Sequence, residues 1–129
     1  YGMDASDNCV AYSFHSVDGF SKVGVYSGNS SADGSYVFTG FRVAWLMVKV
    51  TSASHTGSWY IWDDKRSPHN EMNDRLVADL AAAEVADREV DFLSNGFKLR
   101  ESNNAHNTSG REYIYLAFGS SPAKFSNAK

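Results

Sequence analysis

Apolar and polar positions alternate along most of the chain with a period of two, and the alternation breaks repeatedly at Gly, Asn, Asp and Ser. Residues Cys9 to His15 place Tyr12 and Phe14 between small or polar neighbours and predict a strand. Asp18-Gly19 then reads as a hairpin turn, and Phe20 to Tyr26 returns in alternation. Ser27 to Gly34 is a loop by composition, and Tyr36 to Thr39 is a short strand closed by Gly40. Phe41 to Thr51 is nearly continuous apolar at its middle, the pattern of a central strand covered on both faces. Trp59 to Trp62 is the next strand, ended by Asp63-Asp64-Lys65-Arg66 and Ser67-Pro68. Val90 to Ser94 and Phe97 to Glu101 flank Asn95-Gly96, a strong short hairpin signal. Arg111 to Phe118 is the last strand.

One stretch departs from this period. Between Asn70 and Ala86, the residues Met72, Leu76, Leu80 and Ala83 recur at helical spacing, and Ala81 to Ala83 have high helix propensity. A short helix or an irregular, partly helical excursion is expected there. The whole reads as all-β: a two-sheet antiparallel sandwich, jelly-roll or concanavalin-like, with that one excursion around 70–86.

Composition sharpens the picture. The chain has 129 residues, room for a single domain over 1–129. The first residue, Tyr1, suggests a fragment or a processed product. Aromatics make up 14%, with ten Gly and only two Pro, which favours pleated strands joined by turns. Twelve Lys and Arg against fifteen Asp and Glu give a net charge of −3, so nucleic acid is not an expected partner. No apolar run approaches the roughly 20 residues of a membrane helix, and membrane insertion is not expected.

Candidate chemistry is sparse. The single Cys9 excludes an intrachain disulfide and reads as a small buried hydrophobe. Glu89 and Asp91 alternate as a strand-borne acid pair would, although no third acid follows at Leu93 or Ser94. Asp63-Asp64 beside Lys65-Arg66 reads as a solvated corner. His15, His55, His69 and His106 lack metal-ligand spacing, and the last three fall in expected loops as exposed residues. Asn29, Asp33 and the Ser102 to Gly110 loop offer oxygens for calcium without a recognisable motif. No catalytic, cofactor-binding or metal residues are therefore expected. Aromatics near polar side chains suit sugar faces. Trp45 and Trp59 are assigned to the core, leaving Trp62, Tyr60 and Asp63, with Asn103 and Asn104, as candidate ligand contacts.

Three stretches carry a family resemblance: Gly24 to Asn29 leading to Tyr36 to Phe41; Trp45 to Lys49 with Trp59 to Arg66; and Asp91 to Phe97 with Tyr113 to Phe118. In order and spacing they resemble a module repeated in tail-fibre-like and other virion structural proteins of marine bacteriophages. The resemblance runs from about Val10 to the C-terminus. It implies a lectin-like β-sandwich that is a C-terminal piece of a longer or modular protein, displayed on the particle surface, with a non-enzymatic role in host attachment or particle assembly. It implies other virion proteins as partners, a homo-oligomer and a cell-surface glycan as receptor. A capsid decoration protein and a free-standing carbohydrate-binding module are the alternatives. The resemblance transfers no catalytic or binding residue.

Overall fold

The computed structural model describes residues 8, 10–51, 57–102 and 105–120. Among them are eight strands: β1 (Ser21–Ser27), β2 (Tyr36–Phe38), β3 (Val43–Val50), β4 (Tyr60–Asp63), β5 (Met72–Val77), β6 (Val85–Leu93), β7 (Gly96–Leu99) and β8 (Glu112–Gly119). Every pairing between neighbouring strands is antiparallel. The strands form one continuous order, β1-β8-β3-β4-β5-β6-β7-β2, which curls on itself until it is nearly barrel-shaped.

The curl follows from the pleat. In β3, Leu46, Val48 and Val50 are buried while Trp45, Met47 and Lys49 face the other way, half-buried. β8 repeats the pattern with Tyr113, Tyr115 and Ala117 inside. All eight strands contribute to one apolar core, from Tyr26 on β1 to Phe97 and Leu99 on β7. Tyr26 spans it: its ring stacks on Tyr113 at 5.1 Å and meets Phe97 edge-on at 5.9 Å. Its hydroxyl donates to the carbonyl of His106 at 2.7 Å. Strand β5 carries the bend, pairing with β4 through Tyr60 and Ile61 and with β6 through Met72, Asp74 and Arg75. The register with β6 shifts between Met72 and Asp74, a bulge that sharpens the turn of the sheet.

Three expectations are corrected. Among the described residues there is no helix over 70–86. Met72 and Val77 bury their side chains and the segment between them joins two ladders, so packing and cross-strand hydrogen bonds override helix propensity. Leu80 and the alanines beyond it are exposed in an irregular connection. Residues 10–16 form no strand; they run as an exposed arm, and only Val17 bridges to Ser21 around a turn in which Gly19 takes φ +74°. The β6–β7 hairpin is present, but its loop is Ser94-Asn95, one residue earlier than expected. Gly96 is drawn into the ladder, where a Cβ would stand 2.1 Å from the carbonyl oxygen of Val37 on β2.

Candidate functional site

The outward residues of β1, β8 and β3 form a single apolar surface. The register sets Met47 beside Leu116, Trp45 beside Phe118 and Lys49 beside Ile114, with Val23 beside Leu116 on the other flank. Trp59, just ahead of β4, and Tyr12 and Phe14 of the arm raise its walls. Together they enclose a groove of about 510 Å³. Phe118 anchors one end, with Trp45, Phe20 and Phe14 around it at ring-centroid distances of 5.5, 5.7 and 6.3 Å. Trp59 is fixed by its backbone, whose N–H donates to Asp79 Oδ1 at 2.9 Å and whose carbonyl accepts from Ala78. Lys49 Nζ lies 5.2 Å from the Trp59 ring and donates to the Gly57 carbonyl, placing a cation at the rim.

Strands β5, β6 and β7 carry a network of charged pairs instead. Arg75 grips Asp87 through two hydrogen bonds of 2.5 and 3.0 Å and lies 4.9 Å from the Tyr60 ring. The hydrogen bond from Arg75 is the main reason the Asp87 carboxyl titrates below its ordinary range. Arg100 pairs with Asp91 at 3.2 Å and Glu71 at 3.7 Å, and Lys98 pairs with Asp33. Glu89 is pushed upward, first by burial and then by the carboxylates of Glu71 and Glu101. The acid pair Glu89 and Asp91 is thus tied into this network and lines no part of the groove.

A third cluster closes the end of the barrel. Asn107 is buried, and its Nδ2 reaches the oxygens of Asn29, Ser31 and Glu101 at 2.9–3.0 Å. Its Oδ1 accepts from the Asn29 N–H, and its carbonyl from the Ser30 N–H. Asn29 and Asp33 are therefore engaged within the protein, and among the described residues no group of three or more His, Cys, Asp or Glu is placed to hold a metal ion. Next to it His106 is 0% exposed, against the Trp62 ring at 5.5 Å, and neither ring nitrogen has a well-formed hydrogen bond. Burial, followed by the nearby Arg88, pushes its pKa down to about 4. The expectation of an exposed loop histidine is corrected: Tyr26 pins the loop from inside through the His106 carbonyl, drawing the ring into the core. His15 and His69 are exposed; His55 and Cys9 lie outside the described residues.

A family model described as Domain of unknown function (DUF7483) matches residues 2–122. The chain belongs to this family. No curated protein and no solved structure matches it. The DUF7483 match spans all eight strands and the arm, so groove, charged face and buried loop all lie within the family's domain. Among the described residues of this DUF7483 domain no helix is long and apolar enough to cross a membrane.

The tryptophans exchange the roles expected of them. Trp62 pairs with Leu46 and shares its inward face, fully buried, its indole N–H donating to the Arg88 carbonyl at 2.9 Å. It is a core residue and presents no surface to a ligand. Trp45 and Trp59, assigned to the core, are half-buried in the groove wall. Tyr60 packs between Trp62 and Arg75, away from the groove. Asp63 shapes a turn: its Oδ1 accepts the N–H groups of Lys65 and Arg66 at 3.0 Å, and its carboxylate pairs with the Arg66 guanidinium. Asn103 and Asn104 lie outside the described residues. The groove residues Met47, Ile114 and Leu116 carry no signal of their own in the sequence. Their shared face emerges only from the β3–β8 register.

Proposed function

We propose that this chain is a non-enzymatic structural module of a phage virion, displayed on the particle surface and acting by contact through its outer sheet face. The observation that supports this most is the groove: tryptophan, phenylalanine and aliphatic side chains gathered on one face, while the charged pairs gather on another. A large apolar patch left uncovered on a domain is the ordinary mark of an interaction surface. The similarity to repeated virion modules supplies the setting, with neighbouring virion proteins, a second copy foremost, as the partners. In the same reading the curled sheet is a two-layer, lectin-like sandwich. One layer holds β1, β8, β3 and β4, the other β6, β7 and β2, and β5 is hydrogen-bonded to both.

A sugar-binding role is the second reading, favoured by Trp45, Trp59 and Tyr12 sharing one concavity. It ranks lower because the lining offers few polar groups to meet hydroxyls. Electron microscopy of particles labelled with gold-conjugated antibody against the chain tests the first reading. Gold on the particle surface is expected. Gold confined to soluble lysate, with particles unlabelled, overturns it.

A further inference from the structure

We infer that the outward face of the β2–β7 pair is a separate binding site for a neutral hexose, which stacks on the Tyr36 ring and is held by Asp33 and Lys98. β2 stands at the end of the strand order, so its outward side chains have a neighbouring strand on one side only. Those side chains are Tyr36 and Phe38, 47% and 61% exposed, on either side of the buried Val37.

Tyr36 does not stand off the sheet. The register sets Lys98 opposite Tyr36 and Gly96 opposite Phe38. Gly96 has no side chain, and a Cβ there would come within 3.1 Å of the Tyr36 ring. The ring therefore leans along β7 over the glycine. Its hydroxyl is pinned beyond it, donating to Asn95 Oδ1 at 2.9 Å. The result is a flat, immobilised aromatic surface open to solvent. Little freedom is lost when a flat partner settles on such a ring. A pyranose is a partner of that shape, with C–H bonds gathered on one side and hydroxyls around its edge.

The polar groups beside the ring match those hydroxyls. Phe97 and Leu99 are buried, so Lys98 between them turns outward beside Tyr36. Its ammonium donates to Asp33, whose side chain is 82% exposed. That hydrogen bond holds the Asp33 carboxyl below its ordinary range and keeps it an acceptor. An ammonium and a carboxylate side by side offer donors and lone pairs to two adjacent hydroxyls, each of which can donate and accept. The cations of this face are already matched by carboxylates, Lys98 by Asp33 and Arg100 by Asp91 and Glu71. A neutral sugar fits that balance, and an acidic one does not. The inference is independent of the groove and of the virion setting, and it places sugar recognition at the β2 end of the strand order.

Two-dimensional NMR on the full chain tests it, by titration with the methyl glycosides of β-galactose, β-glucose and α-mannose. At least one of the three is expected to shift the Tyr36, Lys98 and Asp33 resonances with millimolar affinity, while those of Trp45 and Trp59 stay in place. Tyr36→Ala should weaken that binding about tenfold, the scale of one aromatic contact. Asp33→Asn should also weaken it about tenfold, through loss of a charge-assisted hydrogen bond. Circular dichroism and cooperative unfolding check that both variants fold; if Tyr36→Ala does not, Asp33→Asn decides. Three sugars without effect on the Tyr36 site overturn the inference. So does affinity unchanged in a folded variant of either kind. Shifts centred on Trp45 and Trp59 overturn it in favour of sugar in the groove. A response to N-acetylneuraminic acid with none to the neutral sugars overturns it as well.

Discussion

Acid should loosen this domain through His106 before its carboxylates titrate. The ring is sealed against Trp62 and faces the guanidinium groups of Arg88 and Arg75, with the Glu89 backbone and the Asp87 carboxylate as the only opposing influences. Its pKa is about 4 in the folded chain against 6.5 for the free side chain. Between those values the unfolded chain binds a proton that the folded chain refuses, so stability falls as pH falls. Each tenfold difference in proton affinity between the two states is worth about 1.36 kcal/mol. The loss is therefore about 1.4 kcal/mol at pH 5.5 and about 2.5 kcal/mol at pH 4.5, relative to pH 7.5. Asp33, Asp63 and Asp87 are held below their ordinary range. Their stabilisation is lost only at lower pH, which leaves this window to the histidine. Glu89, shifted upward, acts in the opposite direction within its own titration. Urea unfolding followed by tryptophan fluorescence at four pH values measures the slope. His106→Phe, an apolar ring, and His106→Gln, polar but not titrating, should both flatten it. A parent stability that is level from pH 7.5 to 4.5, or a slope unchanged in both variants, refutes the reasoning.

Other substitutions probe the remaining parts of the fold. Asn107→Ala removes the side-chain bonds that clasp the 28–34 loop to the 105–111 loop and to the Glu101 carbonyl; a loss of roughly 2–4 kcal/mol is expected in the same assay. Trp62→Ala empties a core position and should cost about 3–5 kcal/mol. Trp59→Ala, in the groove wall, should cost less than half of that. Gly96→Ala forces β2 away from β7 and should cost about 1–3 kcal/mol, visible as a lowered thermal midpoint.

The parts of the fold that were legible from sequence were the local ones. A nearly continuous apolar run located β3, although its outer face lines the groove instead of being covered; alternation located β8, and Asn95-Gly96 located the β6–β7 hairpin to within one residue. What escaped depends on partners distant in the chain. Which tryptophan faces the core is decided by the pairing of Leu46 with Trp62, and no local pattern around Trp59 to Trp62 fixes that register. His106 lies in a polar loop, and its burial involves residues far away in the chain: Tyr26 of the first strand donates to its carbonyl and Trp62 packs on its ring. The helical spacing of Met72, Leu76, Leu80 and Ala83 is genuine as a pattern, but cross-strand pairing decides the conformation. The 10–16 arm shows the converse case, a strand pattern that pairs with no strand among the described residues.

Acrylamide quenching of single-tryptophan variants, followed across a concentration series, addresses the outer face most directly. With Trp62 replaced by Phe and only Trp45 or Trp59 retained, dilute protein should be readily quenched. As concentration rises, both indoles should become shielded in step with association. Quenching that stays constant while the protein associates, or indoles already shielded in the dilute monomer, would contradict a contact role for this surface.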